Sequence, residues 1–317
     1  MAISSISING RVTLNMHALN NEGGEGNQLL TRQVTIIDEN GKPVTVNAIS
    51  GDMLKHIQAE HLYNIAKEEG LDMCSSCAIF NANRITAASE FVSQFTSKDP
   101  NDAKVLDMLL NICAIDDLEG ILVTNNNRNV PRKSIAEFGW IVGIPEANKT
   151  ENFFHVKFVS DPRSEAQEDT GANLGQTPFH RPANSGIYAL VSNFDVCRIG
   201  YNDISKQYPI SAEIRQARYR AFLKSILYTF IKLRGAHRNT QNPHIMNFEG
   251  VITYSQNSIP APTVSALNSK YREEISEIVK NLNNLEPNSI TEIKFGDMGE
   301  FTQEMTKIIQ DSEPLTL

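Results

Sequence analysis

Residues 46–57, VNAISGDMLKHI, join a strand pattern to a helix pattern within a single turn. An apolar alternation ends at Ala48-Ile49, Ser50-Gly51 forms a tight turn, and a helix opens at Asp52 with Lys55 and His56 in its first two turns. Two readings fit this junction. Ser50 or Asp52 can cap the helix. Alternatively, the free N–H groups and the positive dipole end can receive an anion, with Lys55 adding a full charge. The junction alone leaves both open.

The 317 residues allow one large domain or two small ones, and 40% hydrophobic content is enough for a core. No apolar run approaches the roughly 18 residues of a membrane span, and the N-terminus lacks a signal-peptide pattern. The expectation is a soluble cytoplasmic protein with no membrane partner. Cys74-Ser-Ser-Cys77 has no second CxxC, and Cys113 falls in the apolar run 105–115. The cysteines therefore read as buried thiols, with no metal and no cofactor expected.

The net charge of −8 argues against a generic nucleic-acid binder. Its distribution argues the other way. Residues 198–238 hold nine Lys/Arg against two acids, and residues 271–317 hold four against ten. This asymmetry predicts one basic face and an acidic tail.

Along the chain, Ile6, Ile8, Val12, Leu14 and Met16 alternate with polar residues, a half-buried strand. Gly10, at an inward position of that strand, suits a bulge or a close backbone approach. Residues 20–28 read as a loop, and Asn40-Gly41 turns a hairpin between 34–37 and 44–48. The first helix is expected over 52–69, ending at Gly70, with His61 inside its apolar stripe and Lys55 and His56 outside it. Residues 71–150 read as a mostly helical insertion that contains the polar loop NNNRNVPRK (125–133) with Arg132 and Lys133. A strand is expected at 153–159. Residues 161–185 form a long polar arm in which Phe179 is a candidate to stack on bases or to tuck back onto the body. A further strand spans 186–200. A helix follows over 211–234, capped by Ser211, with Arg215, Arg218, Arg220 and Lys224 outside its core face. The last strand is 248–254, and the tail is helical and acidic.

Without the insertions, the order is strand, helix, strand, strand, helix, strand. This is an α+β, ferredoxin-like or RRM-like arrangement. The aromatic consensus of RNA-recognition motifs is missing, so bases stacked on the sheet are not expected. The absence of GxxxxGK[ST], GxGxxG and a βαβ series weighs against a nucleotide-binding enzyme.

Three stretches, 7–34, 46–57 and 232–244 (KLRGAHRNTQNPH), together resemble the repeating backbone subunit of the type I CRISPR complex Cascade. The resemblance is to its DevR branch, within the RAMP superfamily of repeat-associated RNA-binding proteins. It implies a palm (1–70, 151–160 and 186–260), helical fingers (71–150), a thumb hairpin (161–185) and a C-terminal helical, acidic segment (261–317). It also implies a non-catalytic subunit that polymerises along CRISPR RNA and presents the spacer to a target DNA strand. Further copies of itself and other Cascade subunits would be partners: the guide 5'-end subunit, the large and small subunits, and the repeat-processing endonuclease. By position, Asn15, Arg32, Asn47, Ser50, Lys55, His56, Arg234, His237, Arg238 and Asn239 would line an RNA groove. Arg132 and Lys133 would extend it, with Phe179 and Arg181 on the thumb. The alternative on this fold is a RAMP-type endoribonuclease, with His56, His237 or His244 as base and Asp52 the nearest acid.

Overall fold

The alternation from Ile6 to Met16 folds as the long central strand of the main sheet, because its even-numbered side chains are apolar and its odd-numbered ones polar. The computed structural model describes residues 1–156, 178–234 and 238–317. Its first elements are β1 (Ala2–Ile3), β2 (Ser5–His17), β3 (Asn21–Glu25), β4 (Gln28–Thr31), β5 (Gln33–Ile37), β6 (Pro43–Ile49) and α1 (Gly51–Glu69). The insertion follows with α2 (Ser89–Val92), α3 (Asp102–Ile112), α4 (Ala114–Glu119), β7 (Ile121–Val123), β8 (Val130–Arg132) and β9 (Ala136–Phe138). The remainder is β10 (Ile141–Val156), β11 (Pro178–Phe194), α5 (Ala212–Ile231), β12 (His244–Ser255), α6 (Tyr271–Leu285), β13 (Ile290–Phe295), α7 (Met298–Asp311) and β14 (Glu313–Pro314).

The main sheet runs β13-β12-β2-β11-β10-β6-β5, with every neighbouring pair antiparallel. Helix α1 lies between β2 and β10 in the chain, and α5 between β11 and β12. Ile6, Ile8, Val12 and Leu14 of β2 join one core with Leu54 and Ile57 of α1, Phe222 and Ile226 of α5, and Phe301 and Met305 of α7. The opposite face is covered by the segment before α6 and by α6 itself, through Ala189, Val251, Ala266, Tyr271 and Ile275. Asn9 is tied to that cover by Pro262 O at 3.3 Å and Val264 N at 3.2 Å, and Arg11 by Ala266 O at 2.9 Å. The centre of the sheet is thus buried on both faces.

Helix α1 is bounded by Ser50, whose Oγ accepts from Met53 N, and by Gly70 in the left-handed conformation (φ 70°). Helix α5 is capped by Ser211, as its sequence suggests.

Three readings change. The strand expected at 153–159 begins at Ile141, because β10 passes through an irregularity between Gly143 and Asn148 that breaks its alternation. Residues 20–28 are largely a short hairpin, β3 with β4, rather than a loop. The acidic tail contains β13, which extends the sheet beside β12. Residues 161–177 of the expected thumb lie outside the described residues. From Pro178, β11 pairs with β10 up to Val156.

Gly10 sits opposite Gly250 of β12 at the centre of the sheet. A Cβ on Gly10 would lie 2.4 Å from Glu249 O, so the two backbones can approach only without one. Gly10→Ala is expected to destabilise the fold by about 1–3 kcal/mol, as overpacking does, measurable as a lower urea midpoint.

Candidate nucleic-acid interface

The start of α1 is a capped, buried junction. Ser50 has φ −69° and ψ 151°, its Oγ accepts from Met53 N at 3.2 Å, and its own N–H donates to Asn20 Oδ1 at 2.8 Å. A Cβ on Gly51 would lie 2.4 Å from Phe138 O, so the first turn is pressed against the strand end before Gly139. Ser50 and Asn47 are both buried. Their side chains, expected on phosphate, are here engaged within the chain: the Ser50 Oγ accepts from Met53 N and the Asn47 Nδ2 donates to Thr31 and Arg32, so in this structure they act as positioning residues.

What they position is Arg32. A chain of hydrogen bonds starts at Leu19 N, which donates to His17 Nδ1 at 3.4 Å. His17 Nε2 meets Tyr188 OH at 2.9 Å, and Tyr188 OH donates to Asn47 Oδ1 at 3.0 Å. Asn47 Nδ2 then donates to Thr31 Oγ1 at 3.2 Å and Arg32 O at 2.8 Å. The directions require a neutral His17 with its proton on Nε2. Asn184 braces the same corner by donating to His17 O and Thr31 Oγ1, each at 3.1 Å. At the end of this chain the Arg32 guanidinium lies 5.1 Å from the ring centroid of Trp140 and contacts Glu22. Trp140 is 42% exposed.

Burial pushes the His17 pKa down from 6.5 to about 4. The unfolded state therefore binds the proton more readily than the native state, and stability rises with pH through this window. The contribution is complete above about pH 6.5 and is lost as pH falls toward 4, amounting to roughly 3 kcal/mol. Urea unfolding between pH 7 and 4.5 should show this acid-side loss, and His17→Gln should flatten it.

A second group surrounds the next turn of α1. Lys55 Nζ donates to Ser134 Oγ and lies 3.4 Å from Ala136 O and 4.0 Å from Glu119. Burial lowers the Lys55 pKa, against the pull of Glu119. Lys55 thus braces the insertion against α1 more than it faces solvent. His56 is exposed, 6.0 Å from the Phe80 ring. With Asp52, Lys55, Phe80, Arg84 and Glu119 it lines a cleft of about 430 Å³. Lys133, beside Ser134, is exposed and 3.5 Å from Glu137.

The third group lies where β2, β11 and β12 end. Asn15 pairs with His244 across β2 and β12. Arg181 Nη1 donates to Thr240 Oγ1 at 3.3 Å, and its guanidinium covers the Phe179 ring at 4.7 Å. Phe179 also stacks on His155, with centroids 5.5 Å apart and planes 16° apart, so it tucks back onto the strand pair. Arg238 is half-buried and Asn239 exposed near this end. His237 lies outside the described residues.

Arg132 is corrected outright. Its side chain is 0% exposed and donates to Asp117 Oδ1 at 2.6 Å and to the carbonyls of Tyr201 and Arg198, each at 2.8 Å. No part of it can reach RNA. The single basic face expected from 198–238 also dissolves. Arg218 is buried on Asp117, and Arg215 is buried among the carbonyls of Ile199, Cys197 and Leu315. Arg198 pairs with Asp203, Lys224 with Glu69, and Arg234 with Glu60 at 2.6 Å. Sequence reasoning missed Trp140 and Arg84. The first carried a signal: it is the only tryptophan in the chain.

These features define a mixed α/β protein, with seven α-helices among the described residues and the partly exposed Arg32 and exposed Lys133 near the β6–α1 corner. The chain belongs to the family described as CRISPR-associated negative auto-regulator DevR/Csa2, whose sequence model matches residues 8–276. A protein of Methanocaldococcus jannaschii, CRISPR-associated protein Cas7/Cst2/DevR, is 24% identical over 290 residues, covering 88% of this chain and 90% of its own length. A solved chain titled CRISPR RNA-guided surveillance complex is similar in fold, with a TM-score of 0.54 and 10% identity over 96% of this chain and 98% of that one. A second, titled CRISPR RNA-guided surveillance complex, pre-nicking, has a TM-score of 0.52 and 10% identity over 96% of this chain and 99% of that one. At this identity the likeness concerns the fold. No helix among the described residues is long and apolar enough to cross a membrane.

Proposed function

We propose that this chain is a non-catalytic RNA-binding backbone subunit of a CRISPR surveillance complex, gripping guide RNA through its phosphates. The observation that carries this reading is membership of a CRISPR-associated family across residues 8–276. The strand order β12-β2-β11-β10, with α1 and α5 as the two crossovers, supports a ferredoxin-like palm. The insertion between α1 and β10, expected at 71–150, would serve as fingers. The paired far ends of β10 and β11 would belong to the thumb. Copies would stack along one CRISPR RNA in the cytoplasm, beside the other Cascade subunits, and leave the spacer free to pair with a target strand. Contacts of Arg32, His56, Lys133, Arg181, Arg238 and Asn239 to phosphate would fix register without reading bases, as a subunit serving any guide requires.

One observation favours a second reading: Asp52 and His56, one turn apart on α1, line the same cleft and could act as acid and base on RNA. Incubating the purified protein with labelled repeat RNA and complementary target RNA separates the two. The proposal expects both to remain intact. Cleavage that disappears in Asp52→Ala or His56→Ala would replace it with the ribonuclease reading.

A further inference from the structure

Cys74, Cys77, Cys113 and Asp116 converge in the interior of the insertion. Cys74 and Cys77 follow α1 past its Gly70 cap, Cys113 is the residue between α3 and α4, and Asp116 lies in the first turn of α4. All four are buried, and their three sulfurs and one carboxylate oxygen lie within 4.8 Å of one another. Cys77 Sγ is 3.2 Å and Cys74 Sγ 3.8 Å from Asp116 Oδ2. The Cys77 N–H points at Cys74 Sγ at 3.3 Å, a donor well placed for a thiolate. Asp116 Oδ1 is buried with no hydrogen-bond partner among the described residues. A carboxylate closed in with three sulfurs and one oxygen unfilled is an arrangement that a protein interior tolerates poorly.

We propose that Cys74, Cys77, Cys113 and Asp116 form a closed tetrahedral site for a zinc ion. Zinc bonds of about 2.3 Å to sulfur and about 2.1 Å to oxygen place a sulfur and an oxygen ligand roughly 3.6 Å apart. The two sulfur–oxygen separations, 3.2 and 3.8 Å, bracket that value. Three thiolates select a soft or borderline cation over magnesium or calcium. Four protein ligands leave no open position, so the ion is structural. On binding, the thiols release their three protons to solvent, and no electron moves.

The ion would clip the segment after α1 to the α3–α4 junction, where the Ala114 N–H already donates to Asp72 O at 2.8 Å. Cys77 also contributes to the wall of the cleft that holds His56 and Phe80, so the clip would set that wall. The inference rests on the thiol cluster alone and stands whether or not the chain binds RNA. A lone CxxC hid the site, because its third cysteine arrives from an apolar run far along the chain.

The test uses the full chain purified without chelators. Elemental analysis should find about one zinc per chain, and exchange for cobalt should give thiolate-to-cobalt charge-transfer absorption. Cys113→Ser should lower zinc affinity at least about tenfold and weaken that band. Because a core serine can itself unfold the insertion, Asp116→Asn provides the second arm: it should keep the fold and the sulfur band while lowering affinity. A folded protein that holds no zinc and gives no cobalt band overturns the proposal. So does a Cys74–Cys77 disulfide found by mass spectrometry in protein purified under reducing conditions.

Discussion

Asp117→Ala is expected to cost about 3–5 kcal/mol, the largest effect of any single substitution considered for this chain. Asp117 is 0% exposed. Its Oδ1 accepts from Arg132 Nη2 at 2.6 Å, its Oδ2 from Arg218 Nη1 at 2.8 Å, and both oxygens lie 3.1 Å from Gly200 N. One carboxylate therefore serves two buried guanidinium groups and a backbone donor. Carbonyls of Leu110, Arg198 and Tyr201 complete the cage. Removing the carboxylate leaves Arg218 in the interior with only a carbonyl for company, and Arg132 with Asp203 at 3.3 Å as its one remaining carboxylate, which is why breaking a buried pair costs more than forming it gains. The network also bolts the insertion, through Asp117 and Arg132, to the strand-end loop and to α5. Urea unfolding should show a lower midpoint, and proteolysis should open the insertion first. A change below about 0.5 kcal/mol would mean the network does not hold the insertion.

The second large effect concerns RNA. The triple substitution Arg32→Ala, Lys133→Ala and Arg181→Ala removes three accessible cations while leaving the buried networks intact. Each is expected to act through phosphate, so binding should weaken about equally for unrelated guides, by roughly 10- to 100-fold in all. The slope of log K against log salt should become shallower by about 2. Anisotropy titrations with two guides of unrelated sequence measure both quantities. A loss confined to one guide would indicate base reading and contradict the assignment.

The elements whose signals are local were legible in the sequence. Ser50 and Gly70 mark the ends of α1 because a cap and a left-handed glycine act on their own turn. Ser211 does the same for α5, and the period of two in β2 reports a strand with unlike faces. What was hidden depends on partners distant in sequence. Arg132, Arg215 and Arg218 look like surface charges until Asp117 and the carbonyls around residue 199 are brought beside them. Asn47 looks like a groove residue until Tyr188 fills its oxygen. Strand β10 lost its early half to the irregularity after Gly143, and Phe179 found its partner in His155 across the hairpin. Of the candidate groove residues, the exposure of His56 was legible from the apolar stripe of α1 and that of Lys133 from its polar loop, while Arg32 came from the resemblance. The stacking of Arg32 on Trp140 was not, since Arg32, between β4 and β5, and Trp140, just before β10, are far apart in the chain.

That stacking supplies the most direct test of the central claim, which is that guide RNA is held by phosphate contacts at the β6–α1 corner. Trp140 is the only tryptophan and lies half-exposed beneath Arg32, so its fluorescence reports on this corner alone. Titration with two single-stranded RNAs of unrelated sequence should change the emission to the same extent, at the same concentrations and reversibly with added salt. If RNA binds, as judged by anisotropy, while Trp140 emission stays constant, the grip lies elsewhere on the molecule. If only one of the two sequences perturbs it, the corner reads bases rather than phosphates.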